Sequence, residues 1–283
     1  MLKNITAELV SATIKPRAKE SHKGTYGKVL LIGGNAQFGG AIIMAAEACL
    51  NAGAGLVTVA TDSTNNAALH TRIPEAMFID YTDKETISKT LKSVDVVVIG
   101  PGLGTTDFAR EIVQTTLSNL SASQTCVIDA SALTILSKQH ELLDSCSAKI
   151  ILTPHQMEWQ KLSGIEIADQ SDSANLVALK KLCRNATLVL KSSATKIYDQ
   201  SDIVWQNTLG NPGMATGGTG DTLTGIIAGI VAQFGSTTAS INTAVFLHSY
   251  AGDQIAETNY VVLPTKISAL LPKIMHTFAS KNA

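Results

Sequence analysis

The chain carries almost no surplus of charge. Across 283 residues, 22 Lys and Arg stand against 23 Asp and Glu, a formal net charge of −1 at pH 7. General electrostatic attraction to nucleic acid or to an anionic membrane is therefore not expected, and any anion must be held by local loops. Cysteine is equally sparse. Cys49, Cys126, Cys146 and Cys183 make no C-x-x-C pair and lie in apolar contexts, which reads as buried thiols in a reducing compartment rather than a disulfide framework or a zinc site. Long apolar runs are missing too: the windows 41–60 and 222–235 are broken by glycine or polar residues, or are too short, to span a bilayer. The opening Met1-Leu-Lys-Asn-Ile-Thr-Ala-Glu8 lacks the basic-then-apolar order of a secretory signal. The expectation is a cytoplasmic protein with no nucleic-acid or membrane partner. A Walker loop of the form G-x-x-x-x-G-K-S/T is also absent, which argues against a P-loop nucleotidase. Gly100-Pro-Gly-Leu-Gly104 has G-x-G-x-G spacing, not the dinucleotide pattern G-x-G-x-x-G.

What is present is apolar mass, 45% of the residues, arranged in short β-rich runs that alternate with helix-like runs. Residues 28–32, 56–60, 94–99, 125–128, 149–152 and 188–190 read as strands apolar on both faces. An Ala-rich helix at 41–50 and two long helices at about 239–256 and 264–278 read as their partners. Such strands joined by helices imply a mostly parallel sheet covered on both sides, an α/β fold. Right-handed crossovers would set the strand C-terminal ends along one edge, where open α/β sheets bind ligands. The segments 196–199 and 202–206 read as a marginal hairpin turning at Gln200-Ser201. No composition break or repeat divides the chain, so residues 1–283 are expected to form one domain.

The most informative stretch is Gly210-Asn-Pro-Gly-Met-Ala-Thr-Gly-Gly-Thr-Gly-Asp221, which leads into an apolar helix expected over 222–234. Its glycines free the backbone for close approach, and the first N–H groups of the helix have no intrahelical partner. That end of a helix attracts anions, phosphate above all. Asp221 stands where loop becomes helix, and the positive helix end is expected to keep it ionised at neutral pH. Phosphate-binding donors beside one acid suit phosphoryl transfer to a hydroxyl. The bland alternative, Asp221 as an ordinary cap, does not account for the glycines.

Three further segments lie at predicted strand ends. His155, in Thr153-Pro-His-Gln-Met-Glu158, is a candidate site residue, with Glu158 one turn on in a possible capping pattern. Lys191-Ser-Ser-Ala-Thr195 offers hydroxyls, amides and a charge to a nucleotide. Asp129, before Ala130-Ser131-Ala132, reads equally as a metal- or substrate-binding carboxylate and as a helix cap. His248 reads as a hydrogen-bonded core residue, and His22 is ambiguous.

These segments together, with Ser21-His-Lys-Gly-Thr-Tyr-Gly27 before the first strand, Gly39-Gly-Ala41 opening the Ala-rich helix and the helix Ala244 to Asp253, resemble the ADP/ATP-dependent (S)-NAD(P)H-hydrate dehydratase family. The matches run in order over roughly residues 16–275. The resemblance implies a ribokinase-like three-layer α/β/α sandwich and a metabolite-repair lyase. That enzyme dehydrates the S epimer of NAD(P)HX to NAD(P)H, driven by ADP (to AMP and phosphate) or by ATP, with Mg²⁺. It further implies that Ala41, Gly102, Gly104, His155 and Asp221 contact the hydrate, and that Lys191, Ser192, Ser193, Ala194, Thr195, Gly218 and Gly220 contact the nucleotide. Asp221 is the implied catalytic residue, and no protein metal ligand is assigned. A homo-oligomer, often a tetramer, is implied, as is cooperation with a separate NAD(P)HX epimerase. Gln156-Met157 depart from the Pro-Gly that family members often carry after the histidine. A vitamin-precursor kinase of the same superfamily would share the Gly-rich loop and Asp221, but His22-Lys-Gly24 and Thr153-Pro-His155 favour the dehydratase. A non-catalytic nucleotide sensor would have no use for the carboxylate.

Overall fold

The computed structural model describes residues 1–280. Ten strands form one sheet: β1 Leu2–Asn4, β2 Lys28–Ile32, β3 Leu56–Thr61, β4 Met77–Asp80, β5 Val96–Ile99, β6 Thr125–Ile128, β7 Lys149–Leu152, β8 Ala186–Leu190, β9 Lys196–Tyr198 and β10 Val204–Gln206. Their order across the sheet is β1-β10-β9-β8-β7-β6-β5-β2-β3-β4. The run from β8 to β4 is parallel throughout, and β9 alone is reversed, pairing antiparallel with both β8 and β10. The mostly parallel sheet expected from doubly apolar strands is therefore present.

Side chains one residue apart along a strand serve opposite faces. Val59, Leu31, Val98, Val127 and Ile151 form one cross-strand row and belong to one core. Helices Gly39–Asn51, Thr219–Phe234, Thr238–Ala256 and Pro264–Ser280 close that core. The adjacent row Ala60, Ile32, Ile99, Ile128, Leu152 and Leu188 belongs to the other core. It is covered by helices Asp107–Asn119, Ala130–Leu136, Gln156–Ser163 and Asp172–Leu182. Two cores on two faces make the three layers.

Helix Thr219–Phe234 lies very close to helix Gly39–Asn51. A Cβ on Gly225 would fall 2.0 Å from the Ala45 carbonyl oxygen, so only glycine allows this approach. The sequence predicts this helix from Thr222, yet it starts at Thr219. Thr219 Oγ1 donates to the Met214 carbonyl (2.8 Å), and Gly218 turns the chain in the left-handed region at φ 94°. Three more residues thus join the first turn.

The chain runs β2, β3, β4 outward and then crosses to place β5 on the other side of β2. That reversal opens a crevice beyond the carboxyl ends of β2 and β5, where doubly wound sheets bind ligands. Two loops line it and are stitched together: the Gly34 and Asn35 N–H groups donate to the Pro101 and Gly102 carbonyls at 2.8 and 2.7 Å.

Two short strands escape the sequence reading. β1 is exposed and β4 is partly buried, and both are short edge elements, so neither shows a doubly apolar run. The hairpin is shorter than expected, with its loop spanning 199–203. Asp199 Oδ1 accepts from the Ser201 N–H (2.8 Å) and hydroxyl (2.5 Å) and organises that turn locally.

Candidate active site

Three strand ends and one helix start deliver the residues gathered at this edge. β6 leads to Asp129, β7 leads through Thr153-Pro154 to His155, and β8 leads to Lys191. β7 and β8 continue side by side past their strands, because the Lys191 N–H donates to the Pro154 carbonyl at 2.8 Å and His155 pairs with Lys191 in a parallel bridge. Helix Thr219–Phe234 points its N-terminus at this same edge, with Asp221 in its first turn.

No side chain caps that helix. The N-cap is Gly218, whose left-handed φ disfavours any other residue, and a Cβ there would meet Met44 Cε at 2.3 Å. First-turn N–H groups without a capping oxygen are donors for a ligand.

The structure brings the nucleotide candidates together. A cavity of about 830 Å³ is lined by His155, Lys191, Ser192, Ser193, Thr195 and Gly220, with Asn211, Met214, Val245, His248 and Ser249 completing its wall. Ala194 and Gly218 lie on the flanking backbone without lining it. Ala41, Gly102 and Gly104 form a second group around the crevice. A side chain at 102 would stand 3.2 Å from Ala41 Cβ, and one at 104 would stand 2.9 Å from Asn35 Nδ2. The Gly104 N–H donates to Ser131 Oγ at 3.0 Å, tying this group to the turn after β6. His155, which the resemblance groups with the hydrate contacts, thus borders the cavity of the nucleotide candidates.

Charge is concentrated where these groups meet. Asp129 is buried, and its carboxylate accepts from Lys191 Nζ at 2.9 Å and from Thr224 Oγ1 at 2.7 Å. It makes no side-chain cap to helix Ala130–Leu136, although it occupies that helix's N-cap position. The helix cap foreseen for it is therefore not what it forms. Among the described residues no cluster of three or more His, Cys, Asp or Glu is placed to hold a metal ion.

Burial would lower the Lys191 pKa, but the negative charges of Asp129, Glu158 and Asp221 outweigh it and hold the lysine above its ordinary value. Asp221 behaves differently from the sequence expectation. Burial, then the nearby Asp129 charge, push its pKa up to about 6, against the opposing pull of Lys191. The helix end is not the dominant influence. A carboxylate at about 6 is nonetheless mostly ionised at neutral pH while remaining a far better proton acceptor than an ordinary aspartate.

His155 is itself a helix cap. Its Nδ1 accepts from the Glu158 N–H at 3.2 Å, and Glu158 Oε2 accepts from the His155 N–H at 2.9 Å, a capping box for helix Gln156–Ser163. With Nδ1 as acceptor, Nε2 is the ring nitrogen left to donate; it lies 3.5 Å from Glu158 Oε2, and the side chain is half-exposed. His22 does the same at helix Lys23–Tyr26. His248 is the buried, hydrogen-bonded residue expected, bonded to the Thr219 backbone, but its Nε2 is buried without a partner, and burial pushes its pKa down to about 4.

The mostly parallel sheet between two helical layers is a ribokinase-like fold, as comparison with solved structures shows. A solved ribokinase-like superfamily protein from Enterococcus faecalis is 45% identical, covers 98% of this chain and 96% of its own, and superposes with a TM-score of 0.93. The family model described as NAD(P)H-hydrate dehydratase matches residues 29–273. The ADP-dependent (S)-NAD(P)H-hydrate dehydratase of Lactiplantibacillus plantarum is 50% identical over 275 residues, 97% of each chain. The Bacillus subtilis ADP/ATP-dependent NAD(P)H-hydrate dehydratase, co-crystallised with ATP and Mg²⁺, is 27% identical, with 96% and 97% of the two chains covered and a TM-score of 0.81. The chain belongs to the NAD(P)H-hydrate dehydratase family.

Proposed function

We propose that this chain is an ADP-dependent lyase that dehydrates the S epimer of NAD(P)HX to NAD(P)H. The observation that carries the mechanism is Asp221 in the first turn of an uncapped helix, beside the Lys191 ammonium. The resemblance reading of the residues then takes on geometry. The hydrate lies along Ala41, Gly102 and Gly104, with its ring hydroxyl at Asp221. The nucleotide lies in the cavity of Lys191, Ser192, Ser193, Thr195 and Gly220, with the 194 and 218 backbone alongside. His155 Nε2 donates where the two meet.

Hydroxide is a poor leaving group, so the ring hydroxyl is phosphorylated first. Asp221 accepts the hydroxyl proton while the first-turn N–H groups and Lys191 hold the transferring phosphoryl group. The bond between the bridging oxygen and the β-phosphorus of ADP breaks, releasing AMP. The ring nitrogen's electron pair then expels phosphate, and loss of a proton from the adjacent ring carbon restores the dihydropyridine. The sum is NAD(P)HX plus ADP giving NAD(P)H, AMP and phosphate. Mg²⁺ brought with the nucleotide would neutralise charge on its phosphates.

No helix among the described residues is long and apolar enough to cross a membrane; a cytoplasmic location is part of the proposal, and the net charge of −1 supports the absence of a nucleic-acid partner. A homotetramer and a separate epimerase that recycles the R form complete the proposal. The test mixes NADHX with ADP and Mg²⁺ and follows reduced-nicotinamide absorbance. Recovery of NADH with matching AMP supports the lyase; a stable phosphorylated hydrate would make the protein a kinase instead.

A further inference from the structure

Asp129 is buried to 1% exposure, yet it neither lines the nucleotide cavity nor caps the helix it precedes. Both its oxygens are used. Oδ1 accepts from Lys191 Nζ at 2.9 Å, and Oδ2 accepts from Thr224 Oγ1 at 2.7 Å, on the helix whose first turn carries Asp221. Thr224 Oγ1 also lies 3.4 Å from Thr153 Oγ1, which donates to the Ile128 carbonyl, so the bracket is anchored to β6 and to the chain after β7. The lysine held this way presents its ammonium to the helix mouth: a Cβ on Gly220 would stand 3.1 Å from Nζ. A lysine has a long, flexible stem and a point charge, so a fixed anion behind it decides where that charge sits.

We propose that Asp129 is a positioning residue of the reaction: through Lys191 and Thr224 it fixes one positive charge over Gly220, between the phosphate corner and Asp221. This rests on the reading of Asp221 as base. The charged groups facing Asp221 come from several elements: Asp129 after β6, Lys191 after β8, and Glu158 in the first turn of Gln156–Ser163, which His155 caps. His248, from Thr238–Ala256, is uncharged at neutral pH because its burial favours the neutral ring. Asp129 and Lys191 act on Asp221 with opposite sign, the first raising its pKa and the second lowering it.

The experiment is the pH profile of kcat/KM for the intact enzyme with NADHX, ADP and Mg²⁺. In Asp129→Asn the acid limb moves to lower pH by roughly one unit, because the repelling anion is gone. The plateau kcat falls roughly 10- to 100-fold as the lysine loses its station, with little change in KM for the hydrate. In Lys191→Met the limb moves to higher pH. Thr224→Val, which removes the other bond to Asp129, lowers kcat in the same direction as Asp129→Asn by a smaller factor, and Asp129→Glu recovers part of the loss. Limbs that stay put, or that move the same way in Asp129→Asn and Lys191→Met, overturn the proposal. If Asp129→Asn does not fold, the Lys191→Met and Thr224→Val arms decide it on the same readouts. Asp221→Asn separates the two readings: full activity there removes the base assignment, whereas its loss with an unmoved Asp129→Asn profile removes only the role of Asp129.

Discussion

Two helices begin at the same sheet edge and end their first turns in opposite ways. Helix Gln156–Ser163 closes its own N-terminus: His155 and Glu158 exchange hydrogen bonds, so two of its N-terminal N–H groups are taken by its own side chains. Helix Thr219–Phe234 begins at a left-handed glycine with no capping side chain and holds a carboxylate whose pKa is raised to about 6. A capped end is a structural joint, and an uncapped one is a binding site that the fold keeps under electrostatic tension. The same edge thus carries one helix start built for stability and one built for a ligand.

The strongest way to break this contrast is to neutralise the open end. Asp221→Asn should lower kcat by roughly 10²–10⁴-fold, the range a general base supplies, in the NADHX assay. The same change removes a charge that burial and Asp129 disfavour. It should therefore raise stability at pH 7 by about 1–3 kcal/mol, seen as a higher denaturation midpoint. Loss of activity with gained stability is the signature of a strained catalytic carboxylate. Gly218→Ala puts a Cβ into the left-handed region and against Met44. We expect it to cost about 1–2 kcal/mol of stability and to weaken ADP binding in calorimetry, since the first turn must shift.

At the closed end, His155→Ala should cost about 1 kcal/mol through the lost cap. His155→Asn sharpens the comparison, because asparagine also caps helices: recovered stability without recovered kcat/KM would assign Nε2 a ligand contact beyond capping. The smallest effect is in pH. Asp221 must be ionised to accept a proton, so kcat/KM of the wild type should fall below about pH 6 as it protonates. Stability responds through two groups of opposite sign. The folded His248 pKa is depressed to about 4, so its contribution is complete above the unfolded value and lost as pH falls toward 4. The folded Asp221 pKa is raised, so its contribution grows as pH falls through about 6. Asp221→Asn should therefore steepen acid unfolding between about pH 6 and pH 4.

The central strands were legible because β2, β5, β6 and β7 are apolar on both faces, and that pattern has few other uses. β1 and β4 were not, since such short edge strands carry no doubly apolar run and β1 is paired by a partner about two hundred residues away. The start of helix Thr219–Phe234 was misplaced because a left-handed glycine cap and the Thr219 hydroxyl bonds replace the usual capping side chain. Asp221 was legible from its glycines. Its elevated pKa was not, because it arises from burial and from Asp129, whose bond to Lys191 spans 62 residues of sequence. The His155–Glu158 pair was legible as a local capping spacing, whereas the unpartnered nitrogen of His248 depends on packing that no local pattern reports.

The most direct measurement is a crystal structure of the enzyme with ADP and Mg²⁺. The account requires the β-phosphate within hydrogen-bond reach of the first-turn N–H groups of helix Thr219–Phe234 and of Lys191 Nζ, with Asp221 facing the β-phosphorus. Phosphates seated away from that corner, with the helix mouth left to solvent, would contradict it.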